Sequence, residues 1–179
     1  IITHLAEVEK IRQTQPSGAM YHGKTLYFLG EPYLLQIQEG QRQISVGAQT
    51  IRMSTMQTDS QGLRAEYLDW LRIQAKTIFT ELLEEVYPLA QPYGVPFPQM
   101  QIRNMRSIWG SCTVEQKSIR LNLQLMKADR ECIRQVILHD LAHFCYPNHN
   151  KAFYALLTKW MPNWAACKER LETLYKDGV

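Results

Sequence analysis

The sequence predicts an α+β fold, and three observations predict it. Residues 25–54 hold short β-type runs separated by turn residues. Residues 63–92 repeat apolar side chains at three- and four-residue steps, as one long helix requires. A second pair of β-type segments then gives way to helical patterns that fill the rest of the chain. At 179 residues there is room for one domain, or one and a half. The composition, 45% hydrophobic and 21% charged, is that of a folded globular chain and excludes a disordered one. No run of eighteen apolar residues exists to span a membrane. A net charge of +3 permits an acidic partner without requiring one.

Taken in order, residues 1–13 have Leu5, Val8 and Ile11 near one face of a short helix, before the breaker Pro16-Ser17-Gly18. The runs TLYFLG, PYLLQIQ, ISVG and TIRMS, with turns between them, suit a small antiparallel β-meander. Residues 57–62 are polar and form a linker or helix entry. Residues 1–60 are therefore an N-terminal β-rich subdomain, and 61–179 are the main domain. In the long helix, Leu63, Tyr67, Trp70, Leu71, Ala75, Ile78, Leu82 and Val86 form the apolar stripe, and Pro88 and Pro92 end it. Segments 100–105 and 118–123 are β-type and flank a loop around Trp109-Gly110-Ser111-Cys112. Asp129 is the expected N-cap of a second helix reaching Phe144. Two closing helices, 151–160 and 164–175, are split by Met161-Pro162. Trp70, Val136 and Ile137 are expected to be buried together, where the two main helices meet.

The chemistry lies in His139-Asp140-Leu141-Ala142-His143 and the nearby His149. Imidazoles four apart on a helix lie one turn from each other and can reach a single ion. Pro147 stops the helix and biases Tyr146 to an extended conformation, so the chain can turn back and offer His149 as third ligand. Three neutral imidazoles with a fourth position left for water make a catalytic type of zinc site. The opposing reading is chance spacing. Ile133, Val136, Ile137, Leu141 and Phe144 favour the site, because they make this a buried helix whose histidines need partners.

These residues resemble the HExxH zincin metallopeptidases, specifically the YgjP-like predicted metal-dependent hydrolases of the minigluzincin class. The resemblance extends over about residues 25–175. It includes Trp70-Leu71-Arg72 with Ala75, the motif Trp109-Gly110-Ser111-Cys112, the strand Leu121-Asn122-Leu123, Asn148-His149 followed by Phe153-Tyr154, and Met161-Pro162. It implies a zincin-like core: a long helix, a small sheet, a metal-binding helix and closing helices. It also implies Zn²⁺ on His139, His143 and His149, and a metalloendopeptidase cleaving peptide bonds with a metal-activated water. Tyr146 stands where metzincins need glycine, which sets that branch aside.

The chain departs from the family at Asp140, where the family has glutamate. That carboxylate takes a proton from the metal-bound water and passes it to the leaving amine. Aspartate keeps the charge but is about 1.5 Å shorter. A working variant, a metal-binding pseudoenzyme that serves as an interaction module, and an engineered change all stay open. Another alternative is a DNA-associated protease of the crosslink-repair type. Its support is the segment 100–135, with seven basic and three acidic side chains, more often a solvated face than a nucleic-acid groove.

Other residues carry two readings each. Cys112 is a fourth ligand or a buried thiol, with the thiol preferred. Tyr146 and Tyr154 are oxyanion donors or packing residues, and the Trp109–Cys112 motif is a structural turn rather than a substrate contact. A peptide substrate is expected to lie along the edge of the sheet containing residues 118–123. Four cysteines at irregular spacings, with no CxxC pair, point to free thiols in the cytoplasm. No secretory leader opens the sequence, and the start at Ile1 leaves a preceding targeting segment open.

Overall fold

The computed structural model describes residues 18–175. The helix expected within residues 1–13 lies outside the described residues. Four strands come first: β1 (Thr25–Phe28), β2 (Glu31–Glu39), β3 (Gln43–Val46) and β4 (Thr50–Thr55). They form one sheet of order β1-β2-β4-β3, in which β2 and β4 run parallel. This corrects the meander, which would set β3 between β2 and β4. The reason is burial. β4 buries Ile51, Met53 and Thr55, whereas β3 is mostly exposed, so β4 takes the interior position and β3 the edge. The β1–β2 hairpin turns on Leu29 and Gly30, both at positive φ (51° and 87°), as a tight two-residue connection requires. The tip of this hairpin donates its two N–H groups to the carbonyls of Met126 and Lys127, at 2.8 and 2.9 Å.

Helix α1 (Ser60–Ala90) follows, capped by Asp59, whose carboxylate accepts the Gly62 N–H at 2.8 Å. Pro88 does not end it: so near the C-terminus a missing N–H costs one bond, and the helix runs on to Ala90. Pro92 in a 3-10 turn and Gly94 at φ 76° make the actual stop. A second sheet contains β5 (Gln99–Arg103), β6 (Gly110–Thr113) and β7 (Ser118–Asn122), in the order β5-β7-β6. β6 lies where the sequence suggested a loop. β7 is the central strand, so the edges of this sheet are β5 and β6.

A 3-10 turn (Leu123–Lys127) leads to helix α2 (Arg130–Ala142), then α3 (Lys151–Trp160) and α4 (Trp164–Thr173). Asp129 caps α2 as expected, accepting the Cys132 N–H at 2.9 Å. α2 is buried on several sides, between α1, α3, α4 and the strands β6 and β7. Val136 and Ile137 are buried, but Trp70 is only partly so, which corrects the expected trio. Its ring packs 5.4 Å from Phe28 and 5.6 Å from Tyr67, on the first sheet's side of α1. An indole is bulky for a close helix–helix seam, and on α1 it is Leu71 and Ala75 that are fully buried.

Candidate metal centre

His139 stands in the last turn of α2 and His143 is its C-cap. Beyond them Tyr146 donates its N–H to the carbonyl of Ala142 and Asn150 to that of Asn148. This tight reversal returns His149 over the helix end, and Asn150 then caps α3 through the Phe153 N–H at 2.9 Å. The outcome is three imidazoles with one ligand atom each, all within 4.8 Å of one another. The Nε2 atoms of His139 and His149 are 3.0 Å apart. Among the described residues these three form the only such cluster of His, Cys, Asp and Glu side chains.

The donor set fits a metal ion. His143 holds its Nδ1 3.2 Å from the Tyr146 carbonyl, which fixes the proton there and leaves Nε2 free to ligate. Burial, then the neighbouring His139, pulls the His143 pKa below its ordinary value, against the pull of the Tyr146 carbonyl. His149 is lowered too, by burial first, then by His139 and Lys168. Neutral rings are the ligand form. Phe153 lies beneath all three, its centroid 5.0, 4.8 and 4.9 Å from His139, His143 and His149. That apolar floor locks the rings in place.

Asp140, next to His139 on α2, is almost wholly buried. One carboxylate oxygen sits 3.5 Å from the His139 Nδ1, at the limit of hydrogen-bonding reach. The second, Oδ2, has no hydrogen-bond partner among the described residues and lies against Gly110 of β6. Burial raises its pKa, and His139 partly offsets this. A side chain at Gly110 would collide with Asp140 Oδ2 and come within 2.8 Å of Val136 Cγ1. Gly110 is therefore what lets β6 lie directly on the metal helix. Sequence reasoning missed this contact and the Phe153 floor. The glycine after Trp109 was the available signal, since glycine within a strand marks close approach.

The remaining candidates fall into place. Cys112 is absent from the histidine cluster, and its thiol is pushed up to about 12 by burial, with Asp140 and Glu115 adding to it. Tyr154 is stacked between His149 and Trp164, at 6.1 and 5.2 Å, which is a packing role. Of the basic segment 100–135, Lys127 is buried and Arg130 and Arg134 pair with Glu81 and Glu85 of α1, while Arg106 lines a cavity of about 930 Å³ with Asn104, Trp109 and Glu172.

A family described as YgjP-like, metallopeptidase domain, matches residues 1–174. No curated protein matches the chain. Among solved structures, the metallopeptidase zymogen abylysin of Pyrococcus abyssi is similar at 20% identity and a TM-score of 0.49, over 56% of this chain and 99% of its own. The metallopeptidase zymogen jannalysin of Methanocaldococcus jannaschii is similar at 22% identity and a TM-score of 0.43, over 55% and 94%.

Proposed function

This chain belongs to the YgjP-like metallopeptidase-domain family, and from that premise we propose that it is a zinc endopeptidase whose proton shuttle is Asp140. The observation that carries the reading is the convergence of three imidazoles beside a buried carboxylate, at one helix end. His139, His143 and His149 would hold the ion. Zinc on three imidazoles supplies a water acidic enough to ionise near neutral pH and polarises a scissile carbonyl.

The chain's own residues do the rest. Asp140 accepts the proton of the attacking water and returns it to the leaving amine nitrogen. Its raised pKa suits a group that must hold a proton between those two steps. The Tyr146 carbonyl keeps His143 in the ligating tautomer, and Phe153 keeps water from beneath the rings. β6 is the sheet edge nearest Asp140, and an extended peptide added there would lie across the site. All four cysteines are free thiols, which suits the reducing cytoplasm proposed for the enzyme.

Protein stripped with chelator and titrated with zinc tests the proposal. Uptake of about one equivalent, with peptidase activity on a quenched peptide rising in parallel, is expected. His143→Ala should lose both. Uptake below about a tenth of an equivalent at neutral pH would remove the reading. One equivalent bound without hydrolysis, even in Asp140→Glu, would make the chain a metal-binding interaction module instead.

A further inference from the structure

The second sheet has two edges, and β6 is the one that lies on the metal helix, at Asp140 and Val136. The other edge, β5, opens on a groove of about 480 Å³ between that strand and α1. Leu83, Met100, Ile102 and Phe97 give the groove its apolar walls, and Arg72 and Lys76 stand on its rim. Phe97 is half-exposed, which is costly for a phenyl ring with nothing against it.

Backbone polarity makes this edge a template. Gln99 gives its N–H to the Lys117 carbonyl at 2.8 Å, within a parallel register that pairs Met100 with Ile119 and Ile102 with Leu121. Alternate residues of a parallel strand bond the same neighbour, so Met100 and Ile102 turn their N–H and C=O groups outward. Within its five residues the edge has neither proline nor bulge, and its one charged side chain, Arg103, stands at its end.

Charge and spacing say what fits. Arg72, Lys76 and Thr80 are successive four-residue steps of α1 along the groove. Such steps rise about 6 Å, close to the roughly 6.7 Å between residues i and i+2 of a strand. No acidic side chain lines the groove. Asp69, the one carboxylate paired with Arg72 among the described residues, is shared with Arg42, so the flank stays positive. Lys76 has no ion pair among the described residues.

We propose that the open edge of β5 is a docking strand for an extended acidic peptide segment of the Glu-x-Glu type. Its backbone pairs with Met100 and Ile102, its carboxylates meet Arg72 and Lys76, and its methylenes cover Met100, Ile102 and Phe97. This surface lies beyond the peptidase site and does not depend on that reading.

The test is fluorescence anisotropy of the full chain at low salt with a fluorescein-labelled probe, Gly-Thr-Glu-Thr-Glu-Thr-Gly, blocked at its C-terminus. Saturable binding is expected, weakened about ten-fold or more by Lys76→Glu. Ile102→Pro removes an outward N–H without touching the β7 ladder and should abolish it; Lys76→Glu decides alone if that variant fails to fold. His143→Ala should bind as the parent does. No binding up to about 1 mM peptide overturns the proposal. So does equal binding of the Gln-for-Glu probe, an unchanged Lys76→Glu, or loss in His143→Ala, which would put the peptide in the histidine cleft. A single-stranded oligodeoxynucleotide that binds through Lys76 while the acidic probe does not compete would also overturn it.

Discussion

Asp140 is one methylene shorter than a glutamate at that position would be, and its two oxygens meet different surroundings. One oxygen leans to the His139 ring, and the other is pressed against Gly110 without a hydrogen-bond donor. A buried carboxylate without a donor is unfavourable unless a proton or a second group meets it, so this atom is poised to gain one. Asp140→Asn should abolish hydrolysis while leaving zinc uptake intact, because the three imidazoles do not depend on it. Asp140→Glu should raise kcat, if reach alone limits the proton transfer. General acid–base catalysis is worth about 10²–10⁴-fold, so a gain of ten-fold or more is the expected reading in a single-turnover assay. A slower Asp140→Glu would mean the Gly110 contact has been fitted to aspartate. Full activity in Asp140→Asn would exclude it as the shuttle.

At the scale of elements, the contact between β6 and α2 sets the site. Gly110 is the only way the strand can lie this close to Asp140 and Val136, so Gly110→Ala should push the two apart. Overpacking of this kind costs about 1–3 kcal/mol. The expected result is a lowered melting temperature together with a lowered kcat, and an unchanged kcat would show that Asp140 does not need β6. Ile137 faces the opposite way, into the core, and is fully buried. Ile137→Ala should cost about 2–5 kcal/mol in a denaturant titration. A loss below about 0.5 kcal/mol would mean α2 is not the central helix.

Over the whole molecule, one apolar core runs from Leu35, Ile51 and Met53 of the first sheet through Tyr67 and Leu71 to Ile133, Ile137 and Phe153. The β1–β2 hairpin is also bonded to the turn that launches α2. Unfolding should therefore be a single cooperative transition, with far-UV circular dichroism and tryptophan fluorescence melting together. Two separated transitions would mean that the strands before Ser60 fold on their own.

The sequence by itself determined what depends on near neighbours along the chain. The α+β class, the Asp129 cap and the long helix follow from local period and capping chemistry. The histidine cluster was legible for the same reason: an i, i+4 pair and a chain that turns back need only helix geometry, although the helix ends at Ala142, short of the expected Phe144 and ahead of Pro147. Tertiary structure decided what depends on distant partners. β4 took the interior place beside β2 because its Ile51 and Met53 had to be covered, and nothing in the run itself names its neighbour. β6 has a weak strand signal and exists because β7 supplies its ladder. The setting of Asp140 also came late, since residues thirty positions apart meet only when β6 closes on α2. Trp70 turned to the first sheet because only that side had room for its ring. Local propensity fixes elements one at a time, whereas pairing and close approach are settled by which surfaces remain to be buried.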